Sequence, residues 1–177
     1  MTTSSTSTRD AAPTGERADL QQALATQRGL FRRTVHGLTD AQARERSTVS
    51  ELCLGGLVKH VTAVEGRWCR FIEIGADAMA FTSESAGEWA AAFTMGPDET
   101  LDGLLEAYAA TARRTEELIT SLPDLDAAQL LPPAPWFAPG TSWTARRVLA
   151  HVLAETAQHS GHADILREAI DGQKSMG

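Results

Sequence analysis

The sequence is short of several residue types that mark common protein classes. Cys53 and Cys69 are the only cysteines among 177 residues, whereas a small secreted domain held by disulfides carries many more. Placed 16 residues apart on one helix, the two thiols stand about 24 Å apart, far beyond disulfide reach. A reduced, cytoplasmic setting is expected. Proline occurs seven times, five of them between Leu122 and Thr141, so the rest of the chain is nearly free of helix breakers. Lys59 and Lys174 are the only lysines among 16 basic residues. Together with the high alanine content, that bias points to a GC-rich genome and says nothing about mechanism. Positive charge is in deficit, with a net charge of −7 and a pI of about 5.2. Such a balance disfavours a nucleic-acid groove or an anionic membrane surface as the main partner. No stretch approaches the ~18 apolar residues of a transmembrane helix. The first residues lack the basic start and apolar core of a secretory signal. Aromatic residues make up only 6% of the chain.

What the chain does have is alanine, at 29 positions, within a composition that is 42% hydrophobic and 22% charged. That fits one globular domain with a real core built from small and aliphatic side chains, and it favours helix. Residues 1–15, rich in Ser and Thr, are expected to form a disordered tail. From Glu16 an apolar stripe runs through Leu20, Leu24, Gln27, Phe31, Val35 and Leu38 in steps of three and four, with Gly37 as the stop. A polar connection, Thr39 to Ser50, leads to a second helix over Leu54 to Ile74. Its stripe is Leu57, Val61, Val64, Trp68 and Phe71/Ile72, and Cys53 stands at its N-cap. Gly75 to Gly96 reads as a long crossover anchored by Phe81, Trp89 and Phe93, with a short helix around Glu88. Pro97, Asp98 and Glu99 suit the first turn of a third helix, which runs to about Ser121. The proline-rich segment Leu122 to Thr141 must be loop. Ser142 is placed to cap a fourth helix that ends at Gly172, and residues 173–177 form a short tail. With no strand and no internal repeat, residues 16–172 are expected to fold as an all-α four-helix bundle with long crossover connections.

The fourth helix carries an unusual stripe. His151, Glu155, His159 and His162 fall within an arc of about 80° at ~100° per residue. That arc would ordinarily be core, and burying such groups is costly unless they are hydrogen-bonded or bound to metal. A polar, water-filled interface or a solvent-facing helix face is the plainer reading. One ion cannot take all four, because His151 and His162 are about 16 Å apart along the helix and metal–ligand bonds are about 2 Å. The pairs His151/Glu155, Glu155/His159 and His159/His162 are each short enough to share one. A further ligand must come from another helix, and His60, on the apolar side of the second helix, is the natural donor. His36, beside Arg32 and Arg33, reads as a surface or capping residue. Cys53 reads as a cap and not a nucleophile, and Cys69 as a small core residue. Asp164 and Arg167 have the spacing of an ordinary ion pair on the outer turns.

Two segments carry a family resemblance. LGGLVKHVTAVEGRW, residues 54–68, looks like the second helix of the DinB/YfiT-like superfamily, in which the His of a GLVKH motif is the first metal ligand. SWTARRVLAHVLAETAQHSGHADILREAIDG, residues 142–172, resembles the fourth helix of its actinobacterial, mycothiol-dependent transferase branch. The superfamily usually supplies its other two ligands from an H-x3-H pair. Here Glu155 stands where the first His of that pair would be, as in the mycothiol-dependent maleylpyruvate isomerases, whose zinc is held by two His and one Glu. The resemblance therefore implies an up-down-down-up bundle with His60, Glu155 and His159 as metal ligands. Three protein ligands leave a position open, the mark of a catalytic zinc, although nickel or manganese would accept the same N/O ligation.

The resemblance further implies a homodimeric enzyme that activates mycothiol, a low-molecular-weight thiol, for attack on a small electrophile. His162 and His151 are then the candidates for proton transfer, and Arg67 or Arg147 for holding a cosubstrate carboxylate. The 177-residue chain has no counterpart of the C-terminal domain carried by the isomerases, which favours transfer over a maleylpyruvate-type isomerisation. Metal-assisted hydrolysis is a third chemistry open to the same ligands. A non-catalytic, metal-binding stress-response bundle is the alternative outside enzymology.

Overall fold

The computed structural model describes residues 14–79 and 91–176. Within them lie five α-helices: α1 (Glu16–Val35), α2 (Asp40–Arg44), α3 (Leu54–Ile74), α4 (Leu101–Ser121) and α5 (Ala145–Asp171). A 3-10 turn, Gly75–Met79, extends α3, and two three-residue strands, β1 (Ala128–Leu130) and β2 (Ser142–Thr144), pair antiparallel. The expected tail over residues 1–15 lies outside the described residues up to Pro13. So do Phe81, Trp89 and the short helix around Glu88.

Four helices begin at a side chain that satisfies a free backbone N–H. Thr39, Cys53, Thr100 and Thr144 accept from the amides of Gln42, Gly56, Gly103 and Arg147, respectively. Thr39 and Gln42 form a reciprocal capping box, which is why a one-turn helix stands in the connection read as irregular. Cys53 Sγ fills the role usually taken by a hydroxyl, 3.4 Å from the Gly56 amide.

Two expected caps move. α4 begins at Leu101 rather than in the turn after Pro97, because the Glu99 carboxylate is engaged elsewhere. It accepts from the Gly96 amide at 2.6 Å and from Lys59 Nζ at 2.9 Å. α5 is capped by Thr144 rather than Ser142, because Ser142 is spent on the ribbon opposite Leu130. Strands of three residues are too short to display an alternating pattern, and this one was not anticipated.

The order of side-chain contacts gives the helix directions. Glu16 pairs with Arg146 near the starts of α1 and α5, and Arg167 donates to the Thr34 and His36 carbonyls near their ends; the two helices are parallel. On α3 and α5 the pairing reverses, with His60 beside His159 and Trp68 beside His151. α3 and α4 run together, from Lys59 and Glu99 at one end to Cys69 and Thr115 further on. The result is an up-down-down-up bundle, α1, α3, α4, α5. α2 and the ribbon lie in its connections.

Each long helix contributes to two apolar clusters with polar residues between them. At one end Phe31, Val35, Leu57, Val61, Leu101, Tyr108 and Leu166 pack together; at the other, Leu24, Phe71, Ile119, Leu149 and Val152. Between them lie Arg28 on α1, Glu65 on α3, Thr115 on α4, and Thr156 and His159 on α5, all buried, and His60, also buried, sits at the level of Val61 and meets His159 across the bundle. A polar layer therefore crosses the middle of the bundle. Periodicity put Gln27 on the α1 stripe, yet Arg28 is the residue that turns inward. Its guanidinium is paired with Glu65, and Nη1 also reaches Glu116 at 3.3 Å. Thr115 Oγ1 donates to Glu65 at 2.5 Å. Arg167 is likewise buried, and pairs with Asp171 rather than Asp164. Its guanidinium donates to the Thr34 and His36 carbonyls at the end of α1, where His36 is the solvent-facing C-cap before Gly37 (φ 74°).

Gly56 marks a close approach that matters for the site. A Cβ there would stand 1.9 Å from the Phe93 carbonyl oxygen, and backbone cannot swing aside as a side chain does. Gly56→Ala is expected to destabilise the fold by about 3 kcal/mol, the upper end of overpacking costs, read as a shift in the denaturation midpoint. It also displaces Phe93 from the imidazole it covers.

Candidate metal centre

His60 sits on the second turn of α3, and its ring is stacked on Phe93 with centroids 4.0 Å apart. His159 comes from α5, and its ring meets His60 edge-on at 4.6 Å. Glu155, one turn earlier on α5, is half-buried and directs its two oxygens to different neighbours. Oε2 lies 3.9 Å from His60 Nε2 and 3.6 Å from His159 Nε2, while Oε1 lies 3.9 Å from His151 Nε2. One ligand atom from each of His60, Glu155 and His159 falls within 4.8 Å of the others.

These separations exceed hydrogen-bond length and approach the edge of a coordination tetrahedron, about 3.4 Å for bonds of ~2.1 Å. The donor set fits an ion by chemistry as well as by distance. Burial pushes the His60 imidazolium pKa down to about 4, with the neighbouring His159 adding to the effect. Burial also lowers His159, against the opposing pull of Glu155. Both rings are therefore neutral at pH 7, the form that binds metal.

The remaining histidines take different places. His162 Nδ1 lies 3.3 Å from His159 Nδ1, behind the ring and away from Glu155. If His159 offers Nε2 to a metal, its Nδ1 carries the proton and donates to His162, whose own proton then sits on Nε2. His151 flanks the site on the far side of Glu155. Its ring makes edge contacts with Trp68 at 4.8 Å and Trp143 at 5.2 Å, and burial lowers its pKa. His36 is remote, at the exposed end of α1. Cys53 is a buried helix cap, and burial pushes the Cys69 thiol up to about 11, so neither suits a nucleophile.

A cavity of about 650 Å³ is lined by Val64, Arg67, Trp68, Met79 and the loop 132–137, and its Trp68 ring abuts His151. Trp136 and Phe137 are in its wall. Arg147, in contrast, stacks over the Trp143 ring at 4.3 Å and does not line the cavity.

Sequence reasoning missed the Arg28–Glu65–Thr115 network and the cover that Phe93 gives to His60. The first had a signal: Glu65 follows Val64 inside an otherwise apolar stripe, and Arg28 occupies the matching arc of α1. The second had none, since it depends on the approach of the crossover to Gly56.

Residues 19–172 match the mycothiol-S-transferase family. A conserved protein from Enterococcus faecalis, known from its crystal structure, has a similar fold. The two superpose with a TM-score of 0.61 at 14% identity, covering 91% of this chain and 100% of that one. At that identity the likeness speaks for the fold alone. No curated protein matches the chain significantly. Among the described residues no helix is long and apolar enough to cross a membrane. The family match spans all four long helices and every histidine and carboxylate of the centre, and the chain belongs to the mycothiol-S-transferase family, a DinB-like family.

Proposed function

We propose that this protein is a metal-dependent S-transferase that joins mycothiol to a small electrophile. The observation that supports it most is the convergence of His60, Glu155 and His159 within 4.8 Å in a chain of this family. Zinc, or nickel or manganese in the same ligands, would supply an open coordination position at which a thiol is stabilised as thiolate at neutral pH. His60 and His159 would hold the ion through ring nitrogens, and the Glu155 carboxylate would ligate it and offset its charge. Phe93 covers the His60 ring and keeps water from one side.

Of the two candidates for proton transfer, His151 is the better placed. Its ring is neutral, it faces Glu155 Oε1, and its side chain is 24% exposed, so a proton taken from the incoming thiol can pass to solvent. As the carbon–sulfur bond forms, a halide or similar group leaves with its bonding electrons. With a conjugated alkene, the α-carbon takes up a proton instead. His162 is assigned to positioning: it fixes the tautomer and orientation of His159. His162→Ala is expected to weaken metal affinity 10- to 100-fold, measured by chelator competition. His162→Gln, whose amide oxygen still accepts from Nδ1–H, should recover most of it.

In this reading residues 16–172 are the functional unit, working in the cytoplasm as a homodimer, which sedimentation would check. The reading is tested by mycothiol conjugation of monochlorobimane. Metal-loaded wild type should turn over, and Glu155→Ala should fall to the metal-free background. Stoichiometric metal without turnover on any electrophile would leave the non-catalytic bundle standing, and isomerisation of maleylpyruvate without conjugation would favour the isomerase.

A further inference from the structure

Three rings of the cavity wall, Trp68, Trp136 and Phe137, are joined through Trp143 in a path of ring contacts that leads toward the centre. Trp136, at the mouth and 75% exposed, meets Phe137 with centroids 6.2 Å apart. Phe137 meets Trp143 at 5.7 Å, and Trp143 stacks on Trp68 at 4.8 Å and 16°. Trp68 and Trp143 both abut His151, whose Nε2 is 3.9 Å from Glu155. Val64, also in the wall, is one helical turn, about 6 Å, from His60. Prolines at 132, 133 and 135 stiffen the loop that carries Trp136 and Phe137 and present flat apolar faces. A volume of about 650 Å³ lies in the range of small-molecule sites.

We infer that this cavity binds the electrophile and selects flat, apolar, aromatic ones, with Trp136 as the specificity-determining ring at its mouth. The inference deepens the transferase reading and rests on it for the word electrophile. The occupant follows from continuity with the centre: Trp68, in the cavity wall, abuts His151, so a ring held in the cavity lies on the side of Glu155 that faces His151. Ring faces also favour an offset-stacked or edge-on aromatic guest over a small polar one.

Two measurements on the metal-loaded full-length protein test it. The first is equilibrium binding of 1-naphthol, which is flat and unreactive here, by titration calorimetry. The second is the ratio of kcat/KM for mycothiol conjugation of 1-chloro-2,4-dinitrobenzene over acrylamide. With the first electrophile a C–S bond forms, C–Cl breaks, and chloride and the thiol proton are released. With acrylamide, the C–S bond forms at the β-carbon and the thiol proton is balanced by one taken up at the α-carbon. Trp136→Ala should weaken naphthol binding and lower the ratio, each by about tenfold, with metal content unchanged. Trp136→Phe should restore most of both. Unchanged naphthol affinity and an unchanged ratio in Trp136→Ala and in Phe137→Ala would overturn the inference. Weakened naphthol binding without conjugation of either electrophile would support the cavity and overturn the transferase reading beneath it.

Discussion

Replacing Arg28 by methionine should destabilise the protein by about 3–5 kcal/mol, the cost of removing one partner of a buried ion pair. The Arg28 and Glu65 side chains are 6% and 1% exposed, so neither is screened by solvent. Without the guanidinium, Glu65 keeps the Thr115 hydroxyl among the described residues and is left buried without its countercharge. For a chain of this length the loss corresponds to a fall of about 10 °C or more in Tm. The double replacement Arg28→Met with Glu65→Leu should regain most of it, because exchanging both partners for apolar groups leaves no orphaned charge. Thermal unfolding of the three proteins measures the difference. Equal destabilisation by the single and double variants would show that packing, not charge pairing, holds this layer.

The second large effect concerns the centre. His159→Ala should weaken metal binding about 10²- to 10³-fold, which is the share of one ligand when ~10–16 kcal/mol is spread over four. Metal analysis after purification in a mild chelator should find about one ion per chain in wild type and almost none in the variant. The fold should survive, since His159 lies at the edge of the polar layer and not in either apolar cluster. Far-UV circular dichroism would confirm that. Retention of a full equivalent by His159→Ala would remove this residue from the ligand set.

Much of this arrangement is legible in the sequence, for physical reasons that differ between elements. Twenty-residue helices repeat their apolar spacing five or six times, so α1, α3, α4 and α5 stand out. The His151–Glu155–His159–His162 stripe is visible because four polar residues at helical spacing have no reason to share one face unless something is bound or hydrogen-bonded there. The ribbon at Ala128–Leu130 and Ser142–Thr144 is too short to repeat anything. Arg28 and Glu65 each fall on an apolar stripe, but a buried charge looks like a surface charge until its partner on another helix is known. The division between His151 and His162 is also tertiary. Both lie on the same face of α5, but only His151 meets the Trp68 and Trp143 rings, and only His162 meets the back of His159.

The polar layer links these observations. Two apolar clusters flank it, so the helices are held firmly on both sides of a strip where charged and neutral polar groups must be matched to one another. His159 lies in the same strip as Arg28, Glu65 and Thr115, with His60 packed against it and Glu155 within reach of both. The stability of the bundle and the placement of the ligands are thereby coupled, and loss of the ion pair should loosen the centre even though no Arg28 atom takes part in it.

The most direct test is mycothiol conjugation by the metal-stripped protein before and after one equivalent of zinc is added. The expected result is no rate above background in the stripped protein, recovery on adding zinc, and no recovery in His60→Ala, Glu155→Ala or His159→Ala. A stripped protein that conjugates mycothiol as fast as the reconstituted one would contradict the assignment of His60, Glu155 and His159 as the metal centre of a thiol transferase.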